Sequence, residues 1–197
     1  MSIAPIDAPG LQINMTAVNG TANMKVSVTG WNQPGTKVIT FATTGTPIIR
    51  NQWNRILIPV KQSTNNKKIR VNGVDEALTV TTFSTIDPVI LQQGFGSDDV
   101  LFFALGSAGP GVAGGNYLVG AMYHPWFDCG SGKYFDDETK FWNGSGSPAD
   151  LGATGNTPTG VAPQFYLPNG PATAGNNAGS GGNLVIVGSF AGITPPT

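Results

Sequence analysis

The chain has 197 residues, 40% of them hydrophobic, which suits one domain able to bury a real core. Charged residues make up 11% and the net charge is −1, with no basic run longer than Lys67-Lys68, so the clustered cations of a nucleic-acid binder are excluded. The one cysteine, Cys129, excludes an intrachain disulfide.

The dominant period along the chain is two. "LQINMTAV" (11–18), "MKVSVTGW" (24–31) and "TKVITFAT" (36–43) alternate or are β-branched, with Gly, Asn or Pro between them. In "NRILIPVKQ" (54–62), Ile56, Ile58 and Val60 share one face, and Pro59 on the other marks an edge or a bulge. Asn72-Gly73 follows Ile69-Arg70-Val71 and predicts a type I′ hairpin turn with positive φ at both residues. "VLFFALG" (100–106), "NYLVGAMYH" (116–124), "PQFYL" (163–167) and "NLVIVGSF" (183–190) are further predicted strands. Trp31 and Trp53 fall on predicted strands and are assigned to the core.

One helix is predicted, over 134–142, "YFDDETKFW". Asp136, Asp137 and Glu138 lie at its N-terminal end, and Phe135, Thr139 and Trp142 share a face. The segment "SPADLGATGNTPTGVAPQFYLPNG" (147–170) is dense in turn residues. Gly152, Gly155 and Gly160 are expected at positive φ, and Pro158 and Pro163 restrict the unfolded chain. Asp150, Asn156, Thr157 and Thr159 are suited to side-chain turns, so the segment reads as structural. Short strands with almost no helix predict an all-β, antiparallel two-sheet sandwich. It is read as one domain over 1–197, with a core at about 11–191 and short extended tails.

Two stretches carry a family resemblance. "WNRILIPVKQSTNNKKIRVNG", from Trp53 to Asn72-Gly73, resembles the laminin-G-like, concanavalin-A-like jelly roll, in which a Trp opens a strand and a polar loop leads to a strand ending in Asn-Gly. "FDDETKFWNGSGSPADLGATGNTPTGVAPQFYLPNG" followed by "NNAGSGGNLVIVGSF" resembles the version found in bacteriophage structural proteins of the head, tail or baseplate. The matching positions include Phe141, Gly144, Pro148, Leu151-Gly152, Gly155, Pro158-Thr159-Gly160, Pro163, Tyr166-Leu167, Asn177, Gly179 and Gly181-Gly182. The likeness spans roughly 24–191; it implies a jelly-roll fold and a place in a phage particle, and it transfers no ligand set.

Residues suited to catalysis are sparse. His124 is the only histidine; with Asp128 four residues on and Pro125-Trp126 beside it, it reads as a packed or a strand-end residue. Cys129 lacks a resolving cysteine, and with His124 it does not make a zinc site. The acids Asp75/Glu76, Asp98/Asp99 and Asp136/Asp137/Glu138 fall in loops or at a helix start, without the alternating strand pair of a concave-sheet glycosidase. Asp98, Asp99, Asp136 and Asp137 with loop carbonyls could supply part of a calcium shell; solvated loop acids are the simpler reading, and no metal or cofactor is expected.

The long loops at 124–134 and 143–162 flank the predicted helix and bring Trp126, Phe127, Tyr134, Trp142 and Asn143 into one stretch of chain. Aromatic anchors of this kind commonly dominate interfaces, so these five residues are the expected binding surface. The expected function is a non-enzymatic structural or decoration module of a phage particle, docking through loops onto other virion proteins as repeated copies. The alternative is a carbohydrate-binding module for host surface glycan. Residues 1–20 lack the basic start and apolar core of a signal peptide, and no apolar run approaches the roughly 20 residues of a membrane helix. The expected location is therefore the virion, after synthesis in host cytoplasm.

Overall fold

The computed structural model describes residues 10–18, 20, 23–32, 36–86, 124–128, 138–143, 149–168 and 176–183. The predicted strands 100–106 and 116–124 (apart from His124) and 183–190 (apart from Asn183) lie outside the described residues, as does the 134–137 half of the predicted helix. Two compact units divide the chain: 1–91 with 129–150, and 92–128 with 151–197.

The described chain is built of antiparallel strands with almost no helix. In the first unit, β1 (Gly10–Ala17), β2 (Asn23–Trp31), β3 (Lys37–Thr43) and β10 (Leu78–Phe83) lie side by side in that order. The short β4 (Ile48–Ile49) also pairs with β2. The β1–β2 ladder runs without a break from Gly10↔Trp31 to Ala17↔Met24. Val28 faces both Ile13 and Phe41 across the strands, and Phe41 faces Val80, so the apolar residues of successive strands share one face. On β2 burial alternates with the sequence: Val26, Val28 and Gly30 are buried, Ser27 and Thr29 half-buried.

Short segments cover that face. β5 (Ile56–Leu57), β8 (Arg70–Val71) and β9 (Val74–Asp75) form a three-stranded sheet; β6 (Val60–Lys61) pairs with β7 (Asn66–Lys67). Val26, Val28, Ile39, Phe41, Ile48, Ile69 and Val71 make one buried cluster, with Ile56, Ile58, Val60 and Leu78 packed against it. Full burial of each such side chain contributes roughly 1.5–3 kcal/mol. Thr43 is the buried polar residue of this core; its hydroxyl accepts from Val26 N–H at 3.3 Å and donates to Gly45 O at 2.9 Å.

Pro59 separates β5 from β6, so "NRILIPVKQ" is two short strands rather than one. The Asn72-Gly73 turn is as the sequence predicts, with φ of 52° and 86°. Asp75, next to that turn, binds Arg70 Nε at 2.7 Å and Lys68 Nζ at 3.8 Å.

Trp53 departs from the core assignment. It is 42% exposed and precedes β5. Asn51 turns the chain at φ 59°, and the Asn54 amide accepts from Ile49 N–H at 3.1 Å and donates to Ile49 O at 2.6 Å. A side chain thus takes the place of a strand partner, and Trp53 sits in the turn it closes. Trp31, by contrast, is half-buried at the end of β2.

Candidate functional site

In the second unit the turn-rich segment packs against β11 (Trp126–Phe127) and β12 (Phe165–Tyr166), which pair antiparallel. Gly152, Gly155 and Gly160 have φ of 78°, 74° and 78°, as their sequence context predicts. Two of them are also tight for space: a Cβ at Gly155 would lie 2.8 Å from the Tyr166 ring, and one at Gly152 2.6 Å from Thr157 Oγ1. Pro158 and Pro163 are fully buried, as are Tyr166 and Leu167. The Thr159 hydroxyl donates to Val161 O at 2.8 Å and closes one of the expected side-chain turns.

Asn177 ties this body together. Its Oδ1 accepts from Tyr166 N–H at 2.9 Å and Gly179 N–H at 3.0 Å; its Nδ2 donates to Gln164 O and Gly182 O, both at 2.8 Å. Ser180 N–H and Oγ both donate to Pro163 O, at 2.7 and 3.1 Å. A Cβ at Gly181 would lie 2.7 Å from Gln164 O, and one at Gly179 would strike Pro163 O. Sequence reading placed Asn177 in the family pattern without seeing this role. The only local signal was an amide followed by glycines, and the partners lie 11 and 13 residues back.

Trp126 and Phe127 belong to the same body. The Trp126 indole N–H donates to Gly155 O at 2.9 Å, and Phe127 packs against Phe165 and Leu167. Both are half-buried. Asp128 Oδ1 accepts from Gln164 N–H at 3.3 Å. His124 adopts φ 49° and stands edge-on to Tyr166, ring centroids 5.9 Å apart, which agrees with a packed residue.

Trp142 and Asn143 lie in the first unit, so the stretch 124–145 is shared between two compact bodies. Tyr134 lies outside the described residues, as do Cys129, Asp98, Asp99, Asp136 and Asp137. A single 3-10 turn, Glu138–Phe141, occupies the described part of the predicted helix. Its Phe141 is buried, Trp142 half-buried and Asn143 exposed. The Arg55 guanidinium carbon stands 5.0 Å from the Trp142 ring centroid. Arg55 Nη1 and Trp142 Nε1 are both buried, and neither has a hydrogen-bond acceptor among the described residues.

Among the described residues no three His, Cys, Asp or Glu side chains come together as a metal shell, and no helix is long and apolar enough to cross a membrane. Compared with protein families, curated proteins and solved structures, the chain has no match in any of the three.

Proposed function

We propose that the chain is a non-enzymatic structural module of a phage particle, folded as a jelly-roll sandwich and held in place by neighbouring virion proteins. One observation carries this reading. Among the described residues the sheet of the first unit ends in β1, eight residues without charge, proline or bulge, whose Ile13 and Met15 are 50% and 40% exposed. An open strand edge with apolar side chains is a liability for a free chain, and an assembly removes it by covering it. The residue resemblance to phage structural proteins supplies the setting. The test is to raise antibody against the purified chain and label intact particles for electron microscopy. Labelling at a fixed site is expected; particles without the chain would end the proposal. The purified chain is also expected to release no reducing ends from host polysaccharide, and release lost in Asp75→Asn/Glu76→Gln or Asp128→Asn would make it an enzyme.

A second reading, binding of an acidic host glycan, draws on Arg55 and Trp142. Two buried N–H donors without an acceptor would be satisfied by an oxygen brought from outside, and a carboxylate suits the charged one. Titration of an acidic oligosaccharide, followed at the indole N–H resonance that Trp142→Phe deletes, tests it. A saturable shift supports glycan binding, and an unmoved resonance removes it.

A further inference from the structure

The two ends of the five-stranded sheet are finished differently. At one end, β10 has a register shift between Val80 and Thr82, and Lys67 Nζ stands 4.0 Å over the ring of Phe83. A bulge and a lysine are devices that discourage pairing with another chain. At the other end, β1 has neither. Met24 pairs with Ala17 of β1 and with Ile48 of β4, so β4 lies on the far side of β2 from β1. Among the described residues β1 has no second strand partner. Alternate N–H and C=O groups along its eight residues therefore point away from the sheet.

We infer that this edge docks a second copy of the same chain, β1 against β1, antiparallel about a two-fold axis at Ile13. The inference rests on the assembly reading above and names one partner within it. The pattern of the strand selects that partner. With Ile13 opposite itself, Leu11 of each copy faces Met15 of the other, so the apolar side chains of both copies stay on one face. Leu11, Ile13 and Met15 already share that face with Val26 and Val28, and the buried face of one sheet continues into the next. Charge points the same way. The chain carries no charged residue between Asp7 and Lys25, so a second β1 meets no like charge, while a strand bearing charges would find nothing to pair them with. A two-fold contact of this kind uses one patch twice and closes at two copies.

Cysteine cross-linking in the full chain tests the register. In a Cys129→Ser background, Ile13→Cys places two thiols opposite each other across the axis, within the Cα separation a disulfide spans. Ala17→Cys is the control, because its two copies would lie about 27 Å apart. Mild oxidation is expected to convert the first variant to a covalent dimer and to leave the second monomeric. By light scattering the unmodified chain is expected to be a dimer, and Ile13→Lys is expected to raise its dissociation constant roughly a hundredfold by facing two cations across the axis. A far-ultraviolet spectrum matching the parent shows that the lysine variant is folded; if it is not, Met15→Lys takes its place. A monomeric parent chain, equal cross-linking at positions 13 and 17, or a lysine variant that dimerises as the parent does would each overturn the pairing. A chain found in particles that fails these tests sinks β1 pairing and leaves the structural role standing. A chain that dimerises through β1 but is missing from particles does the reverse.

Discussion

Asn177→Ala removes one side chain that meets four backbone groups. Tyr166 N–H and Gln164 O belong to the half-buried ladder around β12, where water replaces the lost partner poorly. Gly182 O is exposed and recovers a water, and Gly179 N–H lies between these cases. Counting about 1–1.5 kcal/mol for each of the two inner bonds and a few tenths for the outer ones gives a loss of about 3 kcal/mol. For a chain of this length that lowers the melting midpoint by about 6–12 °C. Scanning calorimetry, with tyrosine and tryptophan fluorescence recorded in parallel, measures it. Asn177→Asp keeps the shape but turns a carboxylate oxygen toward Gln164 O and Gly182 O, so at neutral pH it should recover none of the loss. A midpoint within about 1 °C of the parent for the alanine variant, against the several degrees expected, would refute the idea that Asn177 holds this body together.

Gly155→Ala should cost about 2–4 kcal/mol, because φ of 74° is unfavourable for any side chain and the new methyl meets the Tyr166 ring at 2.8 Å. Gly160→Ala is the control, with φ of 78° but open space around it, and should cost only about 1–2 kcal/mol in the same urea titration. A Cβ at Gly73 meets no atom within 4 Å, yet Gly73→Val forces a β-branched residue to φ of 86°, so a loss of about 1–2 kcal/mol is expected, and an unchanged midpoint would count against the turn. Trp142→Phe deletes a buried N–H that has no acceptor while keeping a ring beside Arg55; its midpoint should match or exceed that of the parent, whereas a lower one would mean that the donor is satisfied in solution.

Where a residue's conformation is set by its immediate neighbours, the sequence was enough. Asn72-Gly73 sits between β-branched residues and takes positive φ at both positions. Gly155 and Gly160, each beside a turn-forming polar residue, do the same, as does Gly152 within the same turn-rich segment. Alternation found β2 and β3 because each buries one face in the core, and β1, of which only Leu11 packs against that core, because its apolar residues continue the same face. It failed at Trp53, where an aromatic residue and an Ile-rich run suggested a strand, but the side chain of Asn54 occupied the backbone groups of Ile49 that a strand would have used. It failed again for Asn177, whose four partners are set by how the chain returns past β12. The pairing of Arg55 with Trp142 is beyond any local pattern, since 87 positions separate them in the sequence.

Of the aromatic stretch 124–145, Trp126 and Phe127 belong to one compact unit and Trp142 to the other. Trp126 has given its indole N–H to Gly155 O, and Phe127 its ring to Phe165 and Leu167. An anchor for a partner needs a side chain with something left to offer. On that criterion Ile13 and Met15 rank above Trp126: among the described residues the strand carrying them pairs on one edge only, and half of the Ile13 surface remains in water. In the sequence "LQINMTAV" reads only as a strand; its lack of charge is the local feature that bears on the proposed β1 pairing.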